Sequence, residues 1–240
     1  MASPRQVFVT GASSDIGLAV CRKYLENGYK VIGHYHQGQS AFFDLLETSS
    51  NMTSIQIDFS DPKNLEQSIA DNKQLFSQSD VIVNAAALIE ERPFVDITAT
   101  EILRAMSINL IPGLLLMRTI APAMVARGWG RIVHLSSIGV KFHGGHLTFC
   151  YSLSKHAMEF LPSCAKDWAA HNVFVNVIRV GITDTRLHAS EPSKNMATRI
   201  SLIPAKRMAR PAEMANSVFW CGSEANTFMS RQIIEIAGGE

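Results

Sequence analysis

The chain has 240 residues, 47% of them hydrophobic, with a net charge of +1 and its charges scattered. That suits one α/β domain with a full core and excludes a nucleic-acid footprint or a polybasic membrane patch. The four cysteines, Cys21, Cys150, Cys164 and Cys221, are isolated, so they read as thiols in a reducing compartment rather than disulfides or zinc ligands.

In chain order, Gln6 to Thr10 is a short β-rich run reached within a few residues of the N-terminus, so no signal peptide is expected. Thr10-Gly-Ala-Ser-Ser-Asp-Ile-Gly17 follows, and then an apolar helix pattern through Leu18, Ala19, Cys21 and Leu25. Strand, glycine turn and helix form the context a dinucleotide site requires. Gly11 lets the backbone pass close to a diphosphate, Gly17 lets helix and strand pack closely, and the helix N-terminus offers amides and a positive dipole. The alternative is an ordinary strand-to-helix turn. Asn27-Gly28 stops the helix. A second strand, Lys30 to His34, runs into Tyr35-His36-Gln37, where a carboxylate would select NAD and basic groups NADP. No acid is present, which favours NADP(H) over NAD(H). His34 and His36 alternate along the strand, which argues against a shared metal ion, and no metal site is expected. Ile55 to Asp58 closes a third strand, followed by Phe59, and Asp61-Pro62 opens a helix. Asp80 to Ala87 is a fourth strand and its exit, through Asn84, Ala85 and Ala86.

A helix is predicted over 97–106, continuing past Asn109 into an apolar stretch. Leu110 to Met117 is too short, and too interrupted by Pro112 and Gly113, for a membrane helix. Gly130 to Ser137 is a fifth strand with two serines at its C-terminal end, where parallel sheets bind ligands. Ser137 is preferred as the functional serine and Ser136 is the fallback. The loop from Ile138 to Cys150 is long enough to wall a pocket. Its His143 and His146 lack the frame of a metal site. Tyr151-Ser-Leu-Ser-Lys155 opens a helix expected to run through His156, Met158 and Trp168. Tyr and Lys four apart share a helix face, and a lysine's charge favours a phenolate, which tunes the phenol for proton transfer. By spacing alone, a solvated pair is the plainer reading. Phe174 to Ile178 is a sixth strand, Arg186 to Arg199 reads as a mobile polar lid, Pro211 sits near the start of a last helix, and Arg231 to Gly239 ends the chain as a strand.

Taken together, the turn at residues 10–17, Asp58, Asn84, Asn109, Ser137 and Tyr151-x-x-x-Lys155 resemble the short-chain dehydrogenase/reductase family over most of the chain. The turn is similar to the family's T-G-x-x-x-G-x-G, with Asp15 in place of the middle glycine. Ala85 and Ala87 stand in for Asn and Gly, and Val180 for a proline before Gly181. The resemblance implies a single-domain, Rossmann-like three-layer α/β fold over residues 1–240, a seven-stranded parallel sheet with helices on both faces. It implies a catalytic tetrad. Tyr151 exchanges the proton. Lys155 lowers the Tyr151 pKa and binds the nicotinamide ribose. Ser137 polarises the substrate carbonyl, and Asn109 holds a water leading to Lys155. Cofactor contacts are expected from Gly11, Ser13, Ser14, Asp15, Ile16, Gly17, His34, Tyr35, His36, Asp58, Phe59, Asn84, Ala85, Ala86, Tyr151, Lys155, Gly181, Ile182 and Thr185, with a substrate lid at about 186–205.

The expected reaction is hydride transfer between NADP(H), or less favourably NAD(H), and a carbonyl or secondary alcohol. Within the family the chain looks most like 3-oxoacyl-acyl-carrier-protein reductases, from Ser201-Leu-Ile-Pro-Ala-Lys-Arg-Met208 and Arg231-Gln-Ile-Ile234, with Arg127 and Arg131 as docking groups for an acidic carrier protein. The rival is a reductase or dehydrogenase of a sugar or other polar alcohol, favoured by His143, His146 and the polar lid. A non-catalytic dinucleotide-binding protein is a third reading. A cytoplasmic homo-tetramer, with a dimer as the alternative, is implied, without nucleic-acid or membrane partners.

Overall fold

The computed structural model describes residues 3–189 and 195–240. The first half runs β1 (Gln6–Thr10), α1 (Asp15–Glu26), β2 (Lys30–Tyr35), α2 (Ser40–Thr48), β3 (Met52–Gln56), α3 (Pro62–Asp71), α4 (Lys73–Ser77) and β4 (Val81–Asn84). The second runs α5 (Ala99–Asn109), α6 (Ile111–Arg127), β5 (Gly130–Ser137), α7 (Phe149–Met158), α8 (Ala165–Trp168), β6 (Val173–Val180), α9 (Arg186–Ala189), α10 (Met196–Leu202), α11 (Pro211–Cys221) and β7 (Ile233–Ile236). The strands form one seven-stranded sheet in the order β3-β2-β1-β4-β5-β6-β7, and every pairing is parallel.

The central strands β1, β4, β5 and β6 are mostly apolar and buried because both faces of the sheet are covered there, whereas the edge strands β3 and β7 are part-exposed. Alternate side chains divide between two cores. Val7, Val9, Val83, Val133 and Leu135 pack with Val20 and Tyr24 of α1 and Val218 of α11. Phe8, Ile32, Ile82 and Ile132 pack with Leu65 of α3 and Leu116 and Ile120 of α6. Each such fully buried side chain contributes about 1.5–3 kcal/mol. α5 and α6 together are long and apolar enough to cross a membrane, yet the buried side of α6 packs on this second core. Pro112 cannot donate to the Ile108 carbonyl, and the two helices part at Leu110.

The chain leaves β1 in one direction for β2 and β3 and returns on the other side as β4. The C-terminal ends of β1 and β4 therefore bound a crevice, the usual ligand position in such sheets. Thr10 Oγ1 braces it by accepting from the Ala85 and Ala86 amides at 3.0 and 3.1 Å.

Two expected elements are shorter than the sequence suggested. The helix opened by Tyr151 ends at Met158 rather than Trp168, because Pro162 supplies no N–H, and the chain restarts as the short α8. The last strand is confined to Ile233–Ile236, since Arg231, Gly238 and Gly239 all have positive φ.

Candidate active site

The glycine turn is dictated by contact distances. A Cβ on Gly17 would lie 2.1 Å from the Gly11 carbonyl oxygen, and one on Gly11, at φ +64, would lie 2.7 Å from the Ala86 Cα. Only glycine fits either place. Ser14 caps α1, its Oγ accepting from the Gly17 amide at 3.1 Å and donating to the Gly11 carbonyl at 2.7 Å. Ser13 Oγ donates to the Gln37 carbonyl at 3.0 Å. Asp15 and Ile16 are the first two residues of α1, so Asp15 needs no left-handed backbone to replace glycine. Its carboxylate holds Arg186, accepting from the backbone N at 2.7 Å and from Nε at 2.9 Å.

At the end of β2 the two histidines diverge. His34 is 2% exposed. Its Nδ1 accepts from the Gly11 amide at 3.2 Å and its Nε2 donates to the Ile57 carbonyl at 2.9 Å. The ring stacks on Phe59 at 3.9 Å, and burial pushes its pKa down to about 4. His34 was expected to meet a cofactor. Its ring instead braces the turn from beneath, both nitrogens being occupied. Tyr35 packs against Phe42 and Phe43. His36 stays exposed, 3.8 Å from Asp58. Asp58 accepts from the Ser60 amide at 2.8 Å, which holds its pKa below the usual carboxylate value.

The chemical residues converge on the C-terminal end of β5. Lys155 is 2% exposed. Its Nζ donates to the Leu135 carbonyl at 2.8 Å and lies 5.9 Å from the centre of the Tyr151 ring. Burial pushes its pKa down to about 7. Its charge is therefore one that titrates near neutrality, not the permanent cation the i,i+4 pattern suggested. Ser137 and Ser136 separate as strand alternation requires. Ser136 Oγ is turned to Glu159 at 2.7 Å and the Lys155 carbonyl at 3.1 Å. Ser137 Oγ accepts from the Gly139 amide at 3.1 Å, so its own O–H remains for donation.

Asn109 is the last residue of α5, and its side chain is engaged through both oxygen and nitrogen. Oδ1 accepts from the Leu88 amide at 2.7 Å, and Nδ2 donates to the Leu88 carbonyl at 3.0 Å and to Ser154 Oγ at 2.9 Å. Ser154 Oγ in turn donates to the Tyr151 carbonyl at 2.7 Å. The amide thus fastens the first turn of α7 to the exit of β4.

Other expected contacts take different places. The Asn84 side chain turns sideways in the sheet to His134 Nδ1 at 3.0 Å. Asn84 Oδ1 and His134 Nε2 are buried without a hydrogen-bond partner, and burial pushes His134 down to about 4. His134 was missed because a histidine at an inward strand position gives no separate signal. Gly181 packs its backbone on Ala237, where a Cβ would come within 2.6 Å. Ile182 is buried beside it, and Thr185 lies just before α9. Residues 190–194 of the lid lie outside the described residues.

Tyr151 borders a shallow cleft with Leu88, Glu90, Arg92, Glu101 and Cys150. His143 and His146 are exposed nearby in the chain. Among the described residues, no three His, Cys, Asp or Glu side chains gather as metal ligands. Arg127 and Arg131 do not sit by this cleft. Both lie at the opposite end of the sheet, at the close of α6 and the start of β5. Arg131 is 2% exposed, and Arg127 donates to the Ser77 and Ser79 carbonyls. The expected docking role for this pair is therefore withdrawn.

This assembly of crevice, glycine turn and Tyr–Lys helix places the chain in a family. It belongs to the short chain dehydrogenase family, which it matches over residues 5–196, and is an oxidoreductase of CH–OH and carbonyl groups. The 2-dehydro-3-deoxy-D-gluconate 5-dehydrogenase of Bacillus subtilis strain 168 is 28% identical, over 98% of this chain and 94% of its own. The 3-oxoacyl-[acyl-carrier-protein] reductase FabG of Escherichia coli K12 is 26% identical, over 96% of this chain and 95% of its own. Among solved structures, a candidate NAD(P) dependent gluconate 5-dehydrogenase of Beutenbergia cavernae, with bound NADP at low occupancy, superposes with a TM-score of 0.88. It is 27% identical and covers 98% of this chain and 96% of that one.

Proposed function

We propose that the chain uses NADP(H) to interconvert a ketone and a secondary alcohol on a small polar substrate. The observation that carries this is Tyr151, one helical turn from a buried, under-bonded Lys155 and at the edge of a cleft walled by Glu90, Arg92 and Glu101. A bound nicotinamide supplies or accepts the hydride. The residues fit that group, because Gly11 and Gly17, where a Cβ would strike backbone, let β1 turn tightly into α1 and present the α1 N-terminus at the crevice. The N-terminus of α1 with its Ser14 cap would hold the diphosphate, and Ala85, Ala86, Gly181, Ile182 and Thr185 at the ends of β4 and β6 would contact the rest of the dinucleotide.

Tyr151 gives its phenolic proton to the substrate oxygen during reduction and recovers one during oxidation. Ser137 donates to the same oxygen and stabilises the charge growing there. Lys155 binds the ribose. An anionic dinucleotide favours its ammonium form over the half-neutral state that burial produces, and the ammonium then favours the Tyr151 phenolate. Preference for NADP(H) rests on the absence of an acid at the end of β2 and on His36 as its exposed basic group. The NADP in the Beutenbergia cavernae structure is in keeping with it.

The gluconate-type relative favours a hydroxylated keto acid or sugar. A 3-oxoacyl thioester on acyl-carrier protein is the second reading, supported by the FabG relative. Rates of NADPH oxidation with keto-sugar acids against 3-oxoacyl thioesters decide between them. At least about tenfold higher kcat/KM for the keto-sugar acids is expected, and the reverse order overturns the substrate assignment. A homo-tetramer is proposed from apolar side chains exposed on separate faces, Leu103 of α5 and Trp220, Phe228 and Ile233 around α11 and β7. A cytoplasmic setting is proposed from four unpaired cysteines.

A further inference from the structure

We propose that Arg186 is a diphosphate-binding residue held in place by Asp15, so that the root of the lid and the cofactor turn act as one charge-balanced unit. This rests on the dinucleotide reading above. Asp15 puts a carboxylate on the helix end that should receive the diphosphate, where family members carry glycine. Uncompensated, that charge opposes an anionic ligand. The structure compensates it from 171 residues away in sequence. The Arg186 amide donates to Asp15 Oδ2 at 2.7 Å, Nε donates to Oδ1 at 2.9 Å, and Nη2 lies 2.7 Å from Oδ1. Nη2 also reaches the Ser13 carbonyl at 3.4 Å. Three contacts orient the guanidinium against the turn, and a fourth ties the lid backbone to it.

Stability does not explain the arrangement. The Arg186 side chain is 51% exposed and that of Asp15 26%, and such rim pairs contribute little. Among the described residues, the guanidinium fixed along one edge keeps Nη1 for phosphate oxygens, the bidentate geometry arginine suits. The pair also lies where coupling is useful. Thr185 and Arg186 lead directly into α9. On the far side of the lid, α10 is anchored separately by Arg199 on Glu240.

The test is fluorescence titration with NADPH and with adenosine 2′-monophosphate, which has no 5′-phosphate, on wild type, Arg186→Ala, Asp15→Asn and the double variant. Arg186→Ala should weaken NADPH by about tenfold or more, equivalent to about 1.4 kcal/mol, because it removes a contact and bares Asp15. Asp15→Asn should weaken it only about threefold, since the cation stays but loses its guide. The double variant should bind NADPH more tightly than Arg186→Ala alone, and the 2′-monophosphate should be unaffected throughout. Unchanged or tighter NADPH binding by Arg186→Ala, equal weakening of the 2′-monophosphate, or simple additivity overturns the proposal. If wild type binds no nicotinamide dinucleotide, the functional reading falls, and this one with it. If it binds and the variants match it, only this one falls.

Discussion

Lys155 and Arg131 are both cations, each 2% exposed, but the protein treats them in opposite ways. Arg131 opens β5 at the end of the sheet away from the crevice. Its guanidinium lies 4.5 Å from the Trp129 ring centre and 4.3 Å from that of Phe174. It donates to the carbonyls of Gly130, Asn172 and Asn226 and to Asn172 Oδ1. Burial lowers its pKa only to about 10, so it remains charged. Lys155 has three donors and spends one on Leu135, with no carboxylate partner among the described residues. Its pKa falls to about 7. A buried cation whose two terminal guanidinium nitrogens are both used, with only Nε left without a partner, is architecture. An unsaturated one at a ligand crevice is held ready for a ligand, and the missing bonds mark the site more sharply than burial does.

The contrast can be broken experimentally, and the largest effects come first. Tyr151→Phe should lower kcat by about 10³-fold while leaving the unfolding midpoint near wild type, since proton transfer is worth about 10²–10⁴. Turnover of at least half the wild-type value would remove Tyr151 from the chemistry. Arg131→Met should destabilise the protein by about 3 kcal/mol in urea titration, because it strands the buried carbonyls of Gly130 and Asn226. Lys155→Met should do the reverse, abolishing measurable turnover with no loss of stability, as an unpaired buried charge is removed. Equal destabilisation by both substitutions would erase the distinction.

Smaller effects follow from titration. The folded pKa of Lys155 lies below its ordinary value of 10.5, at about 7. The ligand-free protein therefore loses this proton as pH rises through about 7, whereas an anionic dinucleotide binds the protonated form better. NADPH affinity should fall several-fold between about pH 6 and pH 8, and Lys155→Met should flatten that part of the profile. His34 and His134 both have folded pKa values of about 4 against an ordinary 6.5. Between those values the unfolded chain binds more protons, so the stability their neutral burial contributes is complete above about 6.5 and is lost as pH falls towards 4. His134→Asn should reduce the acid slope of the unfolding midpoint by about one proton's worth. A slope identical to wild type would show that His134 does not titrate this way.

Much of the site is legible in residue order because its requirements are local. Gly11 and Gly17 are forced by clashes within a single turn. Tyr151 and Lys155 share a face by helical spacing, and Ser137 ends a strand whose apolar run announces it. Pro162 was visible too, but the helix pattern was carried past it, although a proline has no amide to continue the ladder. The orientation of Ser136 towards Glu159, the use of both His34 nitrogens and the enclosure of Arg131 were not legible. Each depends on which element lies against which.

By itself, the sequence determined the strand–turn–helix order, the apolar runs of the central strands, the cofactor turn and the residues offered for proton transfer. Sterics and periodicity act over a few residues, and those signals are written consecutively. Only the tertiary structure decided that Asp15 is answered by Arg186, that Asn84 is spent on His134, and that Lys155 sits dry enough to titrate near neutrality. Charge pairing and desolvation depend on neighbours brought together across the sheet, from positions tens to more than a hundred residues apart, and no local pattern encodes those meetings.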